Sequence, residues 1–139
     1  MPIVNRKEHF NAAHKLYNPN WSEEKNFEIF GPCANKNWHG HNFELITSVK
    51  GPINSETGFV IDLKKLSFLI KTEIIDQVDH KNINLDVPFM KGKMGSCENL
   101  IIEFWKILEP KILEIEPQSS LYRLRLYETP RNFVDFFGK

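Results

Sequence analysis

The stretch His39–Lys50, HGHNFELITSVK, alternates as a half-buried β-strand does. Successive side chains of a strand point to opposite faces. His39, His41, Phe43, Leu45, Thr47 and Val49 therefore share one face, and Asn42, Glu44, Ile46 and Ser48 share the other. The apolar residues of the first face call for a core beneath them. The two histidines at its start stand on that same side, close enough to share a metal ion. Gly40 between them takes up little room on the opposite face.

Upstream, residues 3–16 (IVNRKEHFNAAHKL) hold no Pro or Gly and read as another strand, with Phe10, Ala12 and His14 on one face. If the two strands are neighbours, His14 supplies a third imidazole. His9 lies five residues before His14, on the opposite face, and is expected not to be a ligand. Residues 17–38 read as loop, with Pro19, Gly31, Pro32 and five asparagines.

Downstream, Gly51-Pro52 and Asn54 to Gly58 form a turn, which makes Phe59-Val60-Ile61 a short hairpin partner. Asp62 suits the N-cap of a helix to about Gln77, with Leu63, Leu66, Ile70 and Ile74 as its apolar stripe. Residues 79–97 read as loop, with Pro88, Gly92 and Gly95. A second helix is expected over about 98–109, capped near Ser96, burying Leu100, Ile101, Phe104, Trp105 and Leu108 and ending near Pro110 or Pro117. Leu121–Glu128 and Phe133–Phe137 read as closing strands around a Pro130-Arg131-Asn132 turn. This order predicts an α+β fold, an antiparallel sheet carrying both helices on one face. The edges of so small a sheet need cover, and oligomerisation would supply it.

A chain of 139 residues has the size of one domain, residues 1–139. Lys+Arg and Asp+Glu are 18 each, so the net charge is zero. That balance argues against nucleic acid and membrane surfaces, which favour a basic excess. Two cysteines, Cys33 and Cys97, are too few for a disulfide scaffold and point to a reducing compartment. The first ten residues lack the apolar run of a signal peptide, and no stretch approaches the roughly 18 apolar residues of a membrane span. A soluble, cytoplasmic protein is the expectation.

Three histidines with an open fourth position make a catalytic zinc site, where the metal acts as a Lewis acid. Cys33, six residues before His39, has three readings: a thiolate base or nucleophile, a buried structural thiol, or a fourth ligand closing the site. Asp79-His80 is either a proton-transfer pair or a helix terminus with its turn. Glu128-Thr129 ends a strand, where a carboxylate can grip a planar N–H/NH₂ edge with paired hydrogen bonds.

Taken together, FNAAHKL (10–16), FGPCANKNWHGHNF (30–43), GFVIDLKKL (58–66), VDHKNIN (78–84), CENL (97–100) and YET (127–129) resemble the 6-pyruvoyl-tetrahydropterin synthase family, in the family's order and over nearly the whole chain. The resemblance implies the tunnelling fold: a four-stranded antiparallel sheet with two helices on one side. Three subunits would close a twelve-stranded barrel, and two trimers would stack into a hexamer with active sites between subunits. It implies that His14, His39 and His41 bind zinc, that Cys33, Asp79 and His80 are catalytic, and that Glu128 anchors the pterin. Ser96, Glu98 and Thr129 would complete the substrate pocket. The implied reaction eliminates triphosphate from 7,8-dihydroneopterin triphosphate on the tetrahydrobiopterin route.

Two positions depart from the family pattern. Cys97 stands where a small residue is usual, and Trp38 precedes His39 where many members carry a smaller side chain. The nearest alternative is 6-carboxytetrahydropterin synthase of queuosine biosynthesis, which releases acetaldehyde as well. Five residues between Cys33 and His39, with DHKN and ENL, lean toward the pyruvoyl enzymes. A non-catalytic zinc protein closed by Cys33 is a second alternative. Aldolase-type cleavage is a third, disfavoured by the cysteine.

Overall fold

The computed structural model describes all 139 residues. β1 (Ile3–His14) and β2 (His39–Lys50) pair antiparallel without a slip: Ile3 faces Lys50, Phe10 faces Phe43 and His14 faces His39. β2 pairs on its other side with β4 (Ser120–Tyr127), with a register shift between Ser48 and Val49, and β4 pairs with β5 (Phe133–Phe136). These strands lie within one or two residues of the expected bounds.

The sheet is nevertheless mixed and five-stranded, not four-stranded and antiparallel; its order is β3-β1-β2-β4-β5. β3 is the two-residue strand Lys81–Asn82, parallel to β1 at Ala12 and Ala13. The residues just before it draw it there. The Asn11 N–H donates to Asp79 Oδ1 at 2.9 Å, and the His80 N–H donates to the Asn11 carbonyl at 2.6 Å. Phe59–Ile61 forms no strand. The Asn54–Gly58 turn closes on itself, and Val60 and Ile61 are buried without ladder pairing, the Val60 carbonyl accepting from the Ser119 hydroxyl at 2.8 Å.

The segment read as loop over 17–38 contains α1 (Glu23–Phe30). Ser22 caps it, accepting from the Lys25 N–H, and Glu23 and Glu24 sit against its positive end. α2 starts at Leu63–Ile70, widens to a π-helix over Lys71–Ile75 and closes over Asp76–Val78. Asp62 caps it as expected. Leu66, Ile70 and Ile74 are wholly buried, whereas Leu63 is 46% exposed and outside the stripe. A short α3 (Ile83–Asp86) also lies in the expected 79–97 loop.

α4 (Cys97–Ile115) runs through Pro110, past the expected 98–109, and ends just before Pro117, the second of the two expected stops. Pro110 is exposed, so the carbonyl it leaves unpaired one turn earlier is open to water, while fully buried Ile112 holds the last turn on the core. Five of its residues, Leu100, Ile101, Phe104, Trp105 and Leu108, are buried as expected. Phe10 and Phe43 stack at 4.8 Å, and Phe104 from α4 meets Phe10 edge-on at 6.1 Å. Burying each such ring stabilises the fold by about 1.5–3 kcal/mol. One buried cluster joins that face of the sheet to α2 and α4, with the three histidines beyond Phe43 at its end, His14 buried and His39 and His41 half-buried. No helix is long and apolar enough to cross a membrane.

Candidate functional site

Register and strand parity assemble the centre. His14 is opposite His39, and His41 opposite Ala12, on the face that carries Phe10 and Phe43. The three rings lie 4.5 Å (His14–His39), 4.9 Å (His39–His41) and 5.2 Å (His14–His41) apart between centroids. Glu128 joins them from just past the end of β4, its N–H donating to the Asn132 carbonyl at 3.0 Å across the terminal turn. Ligand atoms of His14, His39, His41 and Glu128 all lie within 4.8 Å of one another. His9 is exposed on the other face and outside this group, as expected.

The electrostatics of the group suit a cation. Nε2 of each histidine, and Nδ1 of His39, are buried without a hydrogen-bond partner. Glu128 Oε1 lies 2.9 Å from His41 Nε2 and 3.5 Å from His14 Nε2. Orphaned buried nitrogens around a carboxylate oxygen are costly unless a positive ion satisfies them. Burial, ahead of every other influence, depresses the pKa of all three histidines; the Glu128 charge opposes this and does not overcome it. The imidazoles are thus neutral near pH 7, the form in which they bind metal. Three neutral imidazoles of this kind suit zinc with a fourth position left open.

A backbone carbonyl aims the first of these rings. His14 Nδ1 donates to the Gly95 carbonyl at 2.7 Å, so its Nε2 lone pair faces the centre. Asn84 in turn positions the neighbouring residue, its amide accepting from the Lys15 N–H at 3.1 Å and donating to the Lys15 carbonyl at 3.2 Å. A Cβ on Gly95 would stand 2.7 Å from Asn84 Oδ1. Residue types alone do not single out Gly95, because its contribution is a carbonyl that any residue carries. Only its close approach demands glycine.

The family model for 6-pyruvoyl tetrahydropterin synthase matches residues 3–139. This chain belongs to the 6-pyruvoyl tetrahydropterin synthase family. It is 38% identical to a 6-pyruvoyl tetrahydrobiopterin synthase of Pongo abelii over 136 residues, 98% of this chain and 91% of that protein. The solved structure of the Caenorhabditis elegans 6-pyruvoyl tetrahydropterin synthase superposes with a TM-score of 0.86 at 34% identity, covering 100% of this chain and 98% of that one. A 6-carboxy-5,6,7,8-tetrahydropterin synthase of Haemophilus influenzae is 24% identical over 128 residues, 76% of this chain and 84% of that protein.

The remaining residues that the synthase pattern singles out are dispersed within one chain. Cys33 lies half-buried in the 3₁₀ turn Gly31–Ala34, tied by its carbonyl to the Leu16 N–H at 2.7 Å, and is not in the metal group. Cys33 is not among the residues whose ligand atoms gather there, which are His14, His39, His41 and Glu128. Asp79 and His80 form a pair, Oδ1 to Nδ1 at 3.0 Å, with His80 77% exposed in a left-handed backbone conformation. The Asn11 N–H, then His80, hold the Asp79 carboxyl below its usual range. His80 lines a cavity of about 500 Å³ with Asn11, Gly40, Asn42 and His41, the last of these a member of the metal group.

Ser96 spends its hydroxyl oxygen on the cap of α4, accepting from the Asn99 N–H at 3.2 Å. Glu98 is exposed in the first turn of that helix. Thr129 Oγ1 accepts from the Arg131 and Asn132 N–H groups and so shapes the turn behind Glu128. Cys97, the departure from the family pattern, lies against Glu128: its thiol donates to Oε2 at 3.5 Å. Burial and the Glu128 charge push the Cys97 pKa far up, so it stays a thiol and a donor.

Proposed function

We propose that this chain is a zinc-dependent carbon–oxygen lyase, a 6-pyruvoyl-tetrahydropterin synthase acting on 7,8-dihydroneopterin triphosphate. The observation that carries this reading is the group of neutral, orphaned imidazoles beside a carboxylate at the end of the sheet. His14, His39 and His41 would hold the zinc. Bound there, zinc acidifies and orients the hydroxyls of the substrate side chain. Glu128 accepts from the N–H and NH₂ edge of the pterin, its second oxygen already steadied by the Cys97 thiol. Ser96, Glu98 and Thr129 complete that wall of the pocket.

Cys33 moves a side-chain proton. In the Asp79–His80 pair, the carboxylate holds His80 Nδ1 and leaves Nε2 to take or return a second proton. Elimination of triphosphate and the ensuing proton shifts are internally balanced and need no oxidant or reductant. The pyruvoyl product is preferred over the carboxy product because identity to the pyruvoyl-type relative is 38%, against 24% to the carboxy type.

The working unit is a hexamer of two trimers, each closing a twelve-stranded barrel from strands β1, β2, β4 and β5 of three chains, with each chain a single domain, 1–139, in the cytoplasm. Two features support assembly. β3 covers β1 only at Ala12 and Ala13, leaving the rest of that edge unpaired, and β5 is a four-residue edge. Cys33 and the Asp79–His80 pair are also outside the metal group of one chain, which a site shared between subunits would remedy. The test is triphosphate release from 7,8-dihydroneopterin triphosphate by zinc-loaded protein. Release should stop on chelation and return with zinc; release indifferent to chelation would contradict the reading.

A further inference from the structure

Trp38 holds a left-handed backbone conformation, φ 67°, immediately before His39. A bulky side chain is strained there, and such strain persists only where the surroundings enforce it. Against its ring lies Lys15, whose ammonium is 4.5 Å from the centre of the Trp38 ring and 4.4 Å from that of Tyr17. The backbone of Lys15 is fixed on both sides by the Asn84 amide. Lys15 follows His14 and Trp38 precedes His39, the last pair of the β1–β2 register.

Lys15 also lines a cavity of about 770 Å³ together with Lys36, Tyr17, Asn18, Asn35 and the start of α1. Buried Asn26 braces this wall, its amide bonding to the backbone of Asn18 and Ser22. The lysine ion pairs of the chain are made by Lys7, Lys93, Lys106 and Lys111; Lys15 and Lys36 make none. Glu23 and Glu24 line the cavity too, and their charges oppose an anion.

We infer that Lys15, clamped between Tyr17 and Trp38, binds the polyphosphate group of the substrate. The inference rests on the reading above, which makes that group a triphosphate. A lysine is a compact point charge suited to phosphate oxygens, and two aromatic faces orient it without neutralising it. Placed one residue from His14, it would hold the leaving group while the pterin end is held at Glu128. Trp38, unexplained as a departure from the family pattern, is one jaw of this clamp.

The test titrates inorganic tripolyphosphate, and separately unphosphorylated 7,8-dihydroneopterin, into zinc-loaded protein at constant ionic strength. Lys15→Met should weaken tripolyphosphate binding at least tenfold while zinc content and dihydroneopterin binding stay at wild-type values. Lys15→Arg should restore most of it. Trp38→Gly relaxes the backbone yet removes one jaw, and should also weaken tripolyphosphate. Glu23→Gln with Glu24→Gln should tighten it. Wild-type tripolyphosphate affinity in Lys15→Met, with dihydroneopterin still bound, would overturn this inference alone. If the wild-type protein binds no dihydroneopterin, the pterin reading falls and this assignment falls with it.

Discussion

Glu128 Oε1 stands 2.9 Å from His41 Nε2. Its other oxygen takes the Cys97 thiol at 3.5 Å, so one carboxylate connects the metal group to the first turn of α4. An anionic oxygen facing unpaired imidazole nitrogens is where a cation belongs. Glu128→Gln keeps the shape and removes the charge. It should weaken zinc by about tenfold, as loss of a supporting carboxylate does, and weaken pterin binding together with it. Chelator competition measures the first and a fluorescence titration the second. Unchanged zinc affinity would place Glu128 with the pterin alone.

The Gly95 carbonyl accounts for the orientation of His14. Gly95→Ala drives a Cβ against Asn84 Oδ1, at 2.7 Å before relaxation. The strain should cost about 1–3 kcal/mol of stability. Displacing the carbonyl should cost about 10- to 100-fold in zinc affinity, the usual penalty for a lost partner of a metal-bound histidine. Thermal melts of metal-free protein and chelator competition separate the two effects.

Cys33 is outside the metal group, so Cys33→Ala should keep stoichiometric zinc. Turnover should fall by about 10²- to 10⁴-fold, the span of a lost general acid–base residue. Full activity in this variant would remove the thiol from the mechanism.

The metal-free protein should be sensitive to acid. Burial lowers the pKa of His14, His39 and His41 from 6.5. The unfolded chain therefore binds more protons than the folded one once pH falls below about 6.5, and stability declines with falling pH. The decline should level off only after the folded histidines themselves protonate. The Tm of the metal-free protein should drop between about pH 7 and pH 5, less steeply in His39→Gln. A flat Tm across that window would contradict neutral, desolvated imidazoles.

Strand parity makes the metal group legible in the sequence. The side-chain period of two places His14, His39 and His41 on one face whatever the exact strand ends, and the fold keeps them there. The caps at Asp62 and Ser96 are equally plain, because a side-chain oxygen before an apolar stripe has a local cause. α1 is harder to see although Ser22, Glu23 and Glu24 signal a helix start; the prolines and asparagines around it favour a loop. Pro110 misleads in the opposite direction, since burial of Ile112 outweighs one lost backbone bond on an exposed face.

The strand expected at Phe59–Ile61 fails for another cause. A buried apolar triplet is identical in sequence whether or not a partner strand is within reach. The Cys97–Glu128 and His14–Gly95 contacts join residues 31 and 81 positions apart, and the second uses a carbonyl. Nothing local announces either.

The most direct test of the central claim is the identity of the product. Zinc-loaded protein is incubated with 7,8-dihydroneopterin triphosphate, and triphosphate, acetaldehyde and the pterin are followed by mass. The account predicts equal amounts of triphosphate and a pyruvoyl pterin, with no acetaldehyde. Acetaldehyde released in step with triphosphate would contradict it, moving the chain to the carboxy-forming reaction on the same metal group.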